Sequence, residues 1–351
     1  MLLESYSQHG GHILCEQEGS RLTKLAAPAR PIQVPAHDDS KTTAATTAPD
    51  HVPAHEATTG VRIATLITIF LPFVGVIAGL ALIWPLGVGF GWTSLGLLLG
   101  LYLNTGKGIT VGYHRYFTHK SFECPRWMKW FLGVSGSMAC EGSILYWVAT
   151  HRCHHQHSDS EHDPHSPHHH GEGVWAMIQG FWHAHVGWML PGEHPNVHRY
   201  APDLARDRDI VKMSRLFPLW AILGVILPTV LGGVITMSWT GALLGFIWGG
   251  LIRIFMVHHI TWSINSVCHI WGSRPFDSHD LSTNNFIFGV LGFGEGWHNN
   301  HHAFPRSARH GLRWWELDSS YMVIKAMSWI GLAKDVRVPT KERIEAKKKA
   351  A

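Results

Sequence analysis

"IATLITIFLPFVGVIAGLALIWPLGVGFGWTSLGLLLGLYLNTG", residues 63–106, runs for 44 positions without an Asp, Glu, Lys, Arg or His. A helix rising about 1.5 Å per residue crosses the roughly 30 Å hydrocarbon core of a bilayer in about 20 residues. The block is therefore too long for one crossing and reads as two. The cluster "WPLGVGFGW" (84–92) supplies helix breakers near its middle, with tryptophans suited to the membrane interface. A second charge-free block, 37 residues from Leu216 to Ile252, is interrupted in the same way by "TMSWTG" (236–241). The expectation is an all-α integral membrane fold with four transmembrane helices, near 63–84, 91–112, 216–235 and 240–260, paired as two hairpins.

The rest of the chain is arranged around those blocks. Only 15% of residues are charged, which suits a membrane protein. Both hairpin turns lack Lys and Arg, so the positive-inside rule makes the N-terminal segment, the region between the hairpins and the C-terminal region cytoplasmic. The net charge of +4 is modest and the basic residues are scattered, which leaves no nucleic-acid footprint. Cysteines 15, 124, 140, 153 and 268 form no C-x-x-C pair, so no thiolate zinc site or iron–sulfur motif is visible. Residues 1–60, rich in Ala, Thr, Pro and His without periodicity, read as a disordered N-terminal extension. Residues 61–340 form the membrane domain, and 341–351 a solvated basic tail. The apolar stretch "WFLGVSGSMACEGSILYWV" (130–148) carries Glu141 and several Gly and Ser, and reads as a partly buried helix under a cytoplasmic cap rather than a fifth span.

Of 28 histidines, four clusters stand out by spacing: His114 with His119, the trio His151, His154 and His155, Asn265 with His269, and the trio His298, His301 and His302. On a helix, residues three and four apart share a face, so each H-x-x-H-H trio points one way and could grip a metal. An offset of five does not share a face, so His114 and His119 need a helix end or a bend to meet. Nine imidazoles exceed what one zinc site uses, and two metal ions fit the count better. Imidazole serves Zn, Cu, Fe and Ni alike, so ligand chemistry leaves the metal open. Asp159, Asp163 and Glu295 lie near the clusters and could orient the rings. The run His168–His170 reads as solvated loop.

The segments "GITVGYHRYFTHKSF", "THRCHHQHSD", "HVGWML", "WSINSVCHIWGSRPF" and "GEGWHNNHHAFP" together resemble the membrane fatty acyl desaturases, in particular the stearoyl (Δ9) acyl-CoA and acyl-lipid group, from about Ile63 to Pro339. That resemblance implies a cytoplasmic helical cap holding two non-haem iron ions. His114, His119, His151, His155 and His301 would hold one, and His154, His269, His298 and His302 the other, with Asn265 reaching an iron through water. Trp147, Trp188 and Trp262 match tryptophans that line the substrate path. An unactivated methylene has no acidic proton, so its hydrogens need an oxidant, which O2 reduced at two irons can provide.

The implied partners are a fatty acyl lipid or acyl-CoA, O2, and a separate electron donor such as ferredoxin or cytochrome b5, because no haem, flavin or cluster motif is present in the chain. Acyl-CoA members carry an Arg-Asp pair before the second histidine box and an Arg-Lys pair after "HVGWLL". Ala149, Thr150, Gly192 and Glu193 stand there instead, which favours a lipid-borne chain. Two rivals remain: a di-iron membrane hydroxylase, and a metal transporter with a His-rich loop. The final "KKAA" would suit retrieval to the endoplasmic reticulum, but the wording of the boxes favours a bacterial inner membrane, with both termini and the active site cytoplasmic.

Overall fold

The computed structural model describes residues 51–52, 59–84, 86–88, 90–190 and 194–349. Three of its helices are long and apolar enough to cross a membrane: Thr59–Ile83, Phe217–Thr236 and Trp239–His269. The expected second span, 91–112, is helical but is not among them. It runs as an α-helix over Trp92–Lys107, in which Asn104 and Lys107 lower the hydropathy, and continues as π-turns over Gly108–Thr118 that carry Arg115. The turns fall where the breakers stand, with Ile83 and Trp92 bounding the first and Met237, in the left-handed region at φ 50°, closing the Phe217–Thr236 helix.

The stretch 130–148 corrects the single-helix expectation. Helices Arg126–Ser137 and Ile144–His157 are separated by a bend in which Cys140 (φ 64°) and Gly142 (φ 100°) reverse the backbone. Ser143 caps the second helix by accepting from the Tyr146 N–H. Arg253, fully buried in the Trp239–His269 helix, locks the bend by donating to the Met138 carbonyl at 2.7 Å and to the Gly224 carbonyl at 2.5 Å. This spends no ion pair, since carbonyl dipoles satisfy the guanidinium.

The π-turn segment crosses the Arg126–Ser137 helix at a position only glycine allows. A Cβ on Gly108 would lie 2.2 Å from the Gly136 amide nitrogen. The central core gathers around that crossing, with Tyr113, Phe117, Ile144, Val148, Ile210 and Met213 all buried in it.

Both chain ends differ from expectation in part. Residues 51–52 pair antiparallel with His194–Pro195, an ordered strand that needs only backbone partners and so leaves no periodic signal. Residues 59–60 of the expected extension begin the Thr59–Ile83 helix, and 1–50 and 53–58 lie outside the described residues, as do Gly192 and Glu193. The basic tail is not free in solvent: Lys341–Lys347 is helical, Ile344 packs on Phe276 and Phe304, and Lys347 Nζ donates to the Ala303 carbonyl at 2.7 Å.

Candidate metal centre

Four segments converge to bring the nine histidines together. His114 and His119 come from the π-turns, whose i→i+5 pairing stacks residues five apart. The pair meets at a helix end, as the offset of five required: His119 is the C-cap residue of the π-turns, and its N–H closes on the His114 carbonyl. His151, His154 and His155 stand on the Ile144–His157 helix, His269 ends the Trp239–His269 helix, and His298, His301 and His302 occupy His298–Ala303.

The ligand atoms of His114, His119, His151, His155 and His301 lie within 4.8 Å of one another, and those of His154, His269, His298 and His302 do the same. Each trio is thus divided, against the expectation that it points one way. The i,i+4 pairs His151/His155 and His298/His302 go to one group each, and the middle histidine crosses to the other.

Carboxylates stand behind the rings. The Nδ1–H of His154 donates to Asp163 at 3.0 Å, that of His269 to Asp159 at 2.9 Å, and that of His302 to Asp280. Nδ1 of His114 lies 2.5 Å from Glu295 Oε2. Donation from Nδ1 leaves Nε2 as a bare lone pair. The Nε2 atoms of His154 and His302 nevertheless face each other at 3.4 Å, and those of His269 and His298 at 3.1 Å. Two lone pairs cannot hydrogen-bond to each other, so with both rings neutral the His154–His302 approach is the geometry of two nitrogens turned to one shared cation. In the other group His119 Nε2 is buried with no hydrogen-bond partner. Such donor sets fit a transition metal, and the five nitrogens of the first group exceed the tetrahedral set of structural zinc, which the four of the second equal.

Electrostatics favour the neutral, ligating form for most of the set; His154 is the exception, because burial works against its cation but Asp163 outweighs it and raises its pKa. Burial, reinforced by the neighbouring imidazoles, holds His119, His151, His155, His298 and His301 well below the ordinary histidine pKa, so they are neutral. Burial works against ionisation of Asp159 and Asp163, but His269 and His154 outweigh it and hold both below the usual carboxylate range.

Two cavities meet at this centre. The larger, about 600 Å³, and a narrower one of about 50 Å³ share Trp147, His151, Thr261 and Asn265 as lining. Trp188 and Trp262 line the larger, so all three expected tryptophans face it. Tyr102 and Phe293, with ring centroids 5.1 Å apart, line the narrow one. Glu141, in the bend, accepts from Trp147 Nε1–H at 3.1 Å while its Oε1 is buried without a partner.

Sequence reading missed several supporting groups. Asp280 sits in a loop far from any histidine box, and its only signal is local, the Ser278–Ser282 stretch whose hydroxyls it accepts. His310 is a tenth imidazole, its ring 4.5 Å from that of His301 and its Nδ1 3.3 Å from Glu295. Arg115, fully buried, bridges Glu295 at 3.1 Å and Asp318 at 2.9 Å. His168 is not merely solvated, since its Nε2 lies 2.9 Å from the His269 carbonyl.

The family model described as fatty acid desaturase matches residues 90–328. The chain belongs to the fatty acid desaturase family. It is 44% identical over 282 residues to a hex-5-enoyl-[acyl-carrier protein] acetylenase of Moorena producens (strain JHB), covering 80% of this chain and 87% of the relative. It is 41% identical to an sn-1 stearoyl-lipid 9-desaturase of Anabaena variabilis, covering 72% and 88%. It is 40% identical to a chloroplastic palmitoyl-monogalactosyldiacylglycerol delta-7 desaturase of Arabidopsis thaliana, covering 72% and 64%. As a desaturase family member it is an oxidoreductase acting on fatty acyl substrates in a membrane context, in a family that uses iron. This removes the ground for the transporter reading.

Proposed function

We propose that this desaturase introduces a cis double bond at Δ9 into a saturated acyl chain esterified to a membrane lipid, using O2 and electrons from a separate ferredoxin- or cytochrome b5-type donor. The observation that carries the reading is the pair of apolar cavities meeting at Trp147, His151, Thr261 and Asn265, beside both histidine groups. His114, His119, His151, His155 and His301 would hold one iron, and His154, His269, His298 and His302 the other, with Asn265 contributing through water. Bound there, two irons would activate O2, the oxidant that an unactivated C–H bond requires, with two further electrons drawn from the donor.

The chain's own residues do the rest. Apolar walls exclude water and position one methylene pair beside the metal groups, with the far end of the chain held against Tyr102 and Phe293. Trp147, Trp188 and Trp262 form the wall of the entering segment. Asp159, Asp163, Asp280 and Glu295 keep the ligating rings in one tautomer and orientation. The topology that supports this site has four crossings, with Trp92–Thr118 as the second, and a cytoplasmic cap in a bacterial inner membrane. The charge-free turns and the single-sided gathering of the histidines support it.

The test is expression in a host lacking unsaturated fatty acids, followed by mass spectrometry of its lipids. New double bonds at carbon 9 are expected. Hydroxylated chains, triple bonds or double bonds elsewhere would replace this assignment.

A further inference from the structure

A cationic face lies at the mouth of the larger cavity. On the Arg208–Arg215 helix, Ile210 and Met213 are buried in the main core. That orientation leaves Arg208, Lys212 and Arg215, at i, i+4 and i+7, on one shared outer face, with the Lys212 ammonium also 5.9 Å from the centroid of the Trp130 ring. The carboxylates of the same stretch are turned away to the Arg126–Ser137 helix. Asp207 meets Lys129 at 3.0 Å, and Asp209 meets Arg126 at 2.7 Å. Among the described residues no carboxylate pairs with Arg206, Arg208, Lys212 or Arg215, and all four side chains are exposed. They line a surface depression of about 590 Å³.

Arg215 belongs to both places. It edges the depression and also lines the larger cavity, where it is the one Lys or Arg among the described lining residues. Two residues later Phe217 begins an apolar helix of 20 residues. Arg215 therefore stands where the polar surface gives way to the membrane-crossing part of the chain.

We propose that this face is a head-group site, binding the phosphodiester anion of a membrane glycerophospholipid whose acyl chain enters the cavity past Arg215. The inference rests on the acyl desaturase reading and names the carrier that reading leaves open. Guanidinium and ammonium groups donate charge-assisted hydrogen bonds to phosphate oxygens, and a cationic cluster without carboxylate partners has no comparable use for an uncharged sugar head group. The adjoining apolar helix sets the face at lipid head-group depth, which favours a bilayer lipid over a soluble phosphate-bearing carrier.

The experiment uses the full-length protein in proteoliposomes containing equal amounts of labelled stearoyl-phosphatidylglycerol and labelled stearoyl-monogalactosyldiacylglycerol in one bilayer, with reductant and donor. The native protein is expected to convert the phospholipid preferentially. In the triple variant Arg208→Gln, Lys212→Gln, Arg215→Gln the ratio of the two products should fall about tenfold, a loss of roughly 1.4 kcal/mol of discrimination. Because both substrates share a vesicle, general attraction to an anionic bilayer or partial misfolding lowers both products together, and that outcome overturns the proposal. Equal conversion by the native protein overturns it too, as does preferential conversion of stearoyl-CoA or a stearoyl-acyl-carrier protein that the variant loses. A separate readout counts phosphatidylglycerol retained per purified chain by mass spectrometry. If no lipid is desaturated at all, the desaturase reading has failed, and a retained-phospholipid count unchanged in the variant would overturn the head-group site independently.

Discussion

The backbone N–H of His119 donates to the carbonyl of His114 at 3.2 Å, so the two imidazoles stand one wide turn apart and face the same group of five histidines. Among the described residues His119 Nε2 has no hydrogen-bond partner. His119→Ala should therefore cost little in folding while lowering bound iron, and His154→Ala and His301→Ala should lower it in the same way with the apolar helices still inserted. Elemental analysis of the purified variants checks this. Native metal content with full activity in any of the three would contradict ligation.

Asp280 accepts from His302 Nδ1–H and from the Ser278 and Ser282 hydroxyls. Asp280→Asn leaves all nine imidazoles in place but weakens the hold on one ring. Metal affinity should fall about 10- to 100-fold. Chelator competition measures it, and an unchanged affinity would remove Asp280 from the site.

Asn265 lines both cavities beside the two histidine groups. Asn265→Ala is expected to lower turnover more than metal content. Loss of iron as complete as in the histidine variants would mark it as a direct ligand instead.

Glu141 gives a pH dependence. Burial pushes its carboxyl up to about 7, against the neighbouring Thr261 hydroxyl and the Trp147 N–H, which favour the ion. The groups around it are Cys140 beside it, Tyr113 on the Gly142 carbonyl, His258 on the Ala139 carbonyl and Arg253 on the Met138 carbonyl. Below about pH 7 the carboxyl is neutral; above it, a charge appears in the wall of an apolar cavity. The KM for acyl substrate should rise as pH increases through 7. Glu141→Gln, neutral throughout and still able to accept from Trp147, should flatten that rise. A KM profile identical to the native one would separate Glu141 from substrate binding.

What the sequence determined by itself follows from local physics. A charge-free run such as 63–83 must be apolar helix, and an i,i+4 pair such as His151 and His155 must share a face, whatever surrounds them. Tertiary structure decided what depends on partners far along the chain. The π-winding that aligns His114 with His119 is read only once Gly108 is seen pressed against Gly136. The division of each trio between two groups depends on where His269 and the His298–Ala303 helix arrive. Asp280, 22 residues before His302, and Arg115, 180 residues before Glu295, carry no spacing signal, because a hydrogen bond requires proximity in space and places no constraint on separation in sequence. The same holds for Arg215, whose position at the cavity mouth is set by burial of Ile210 and Met213 on the opposite side of its helix.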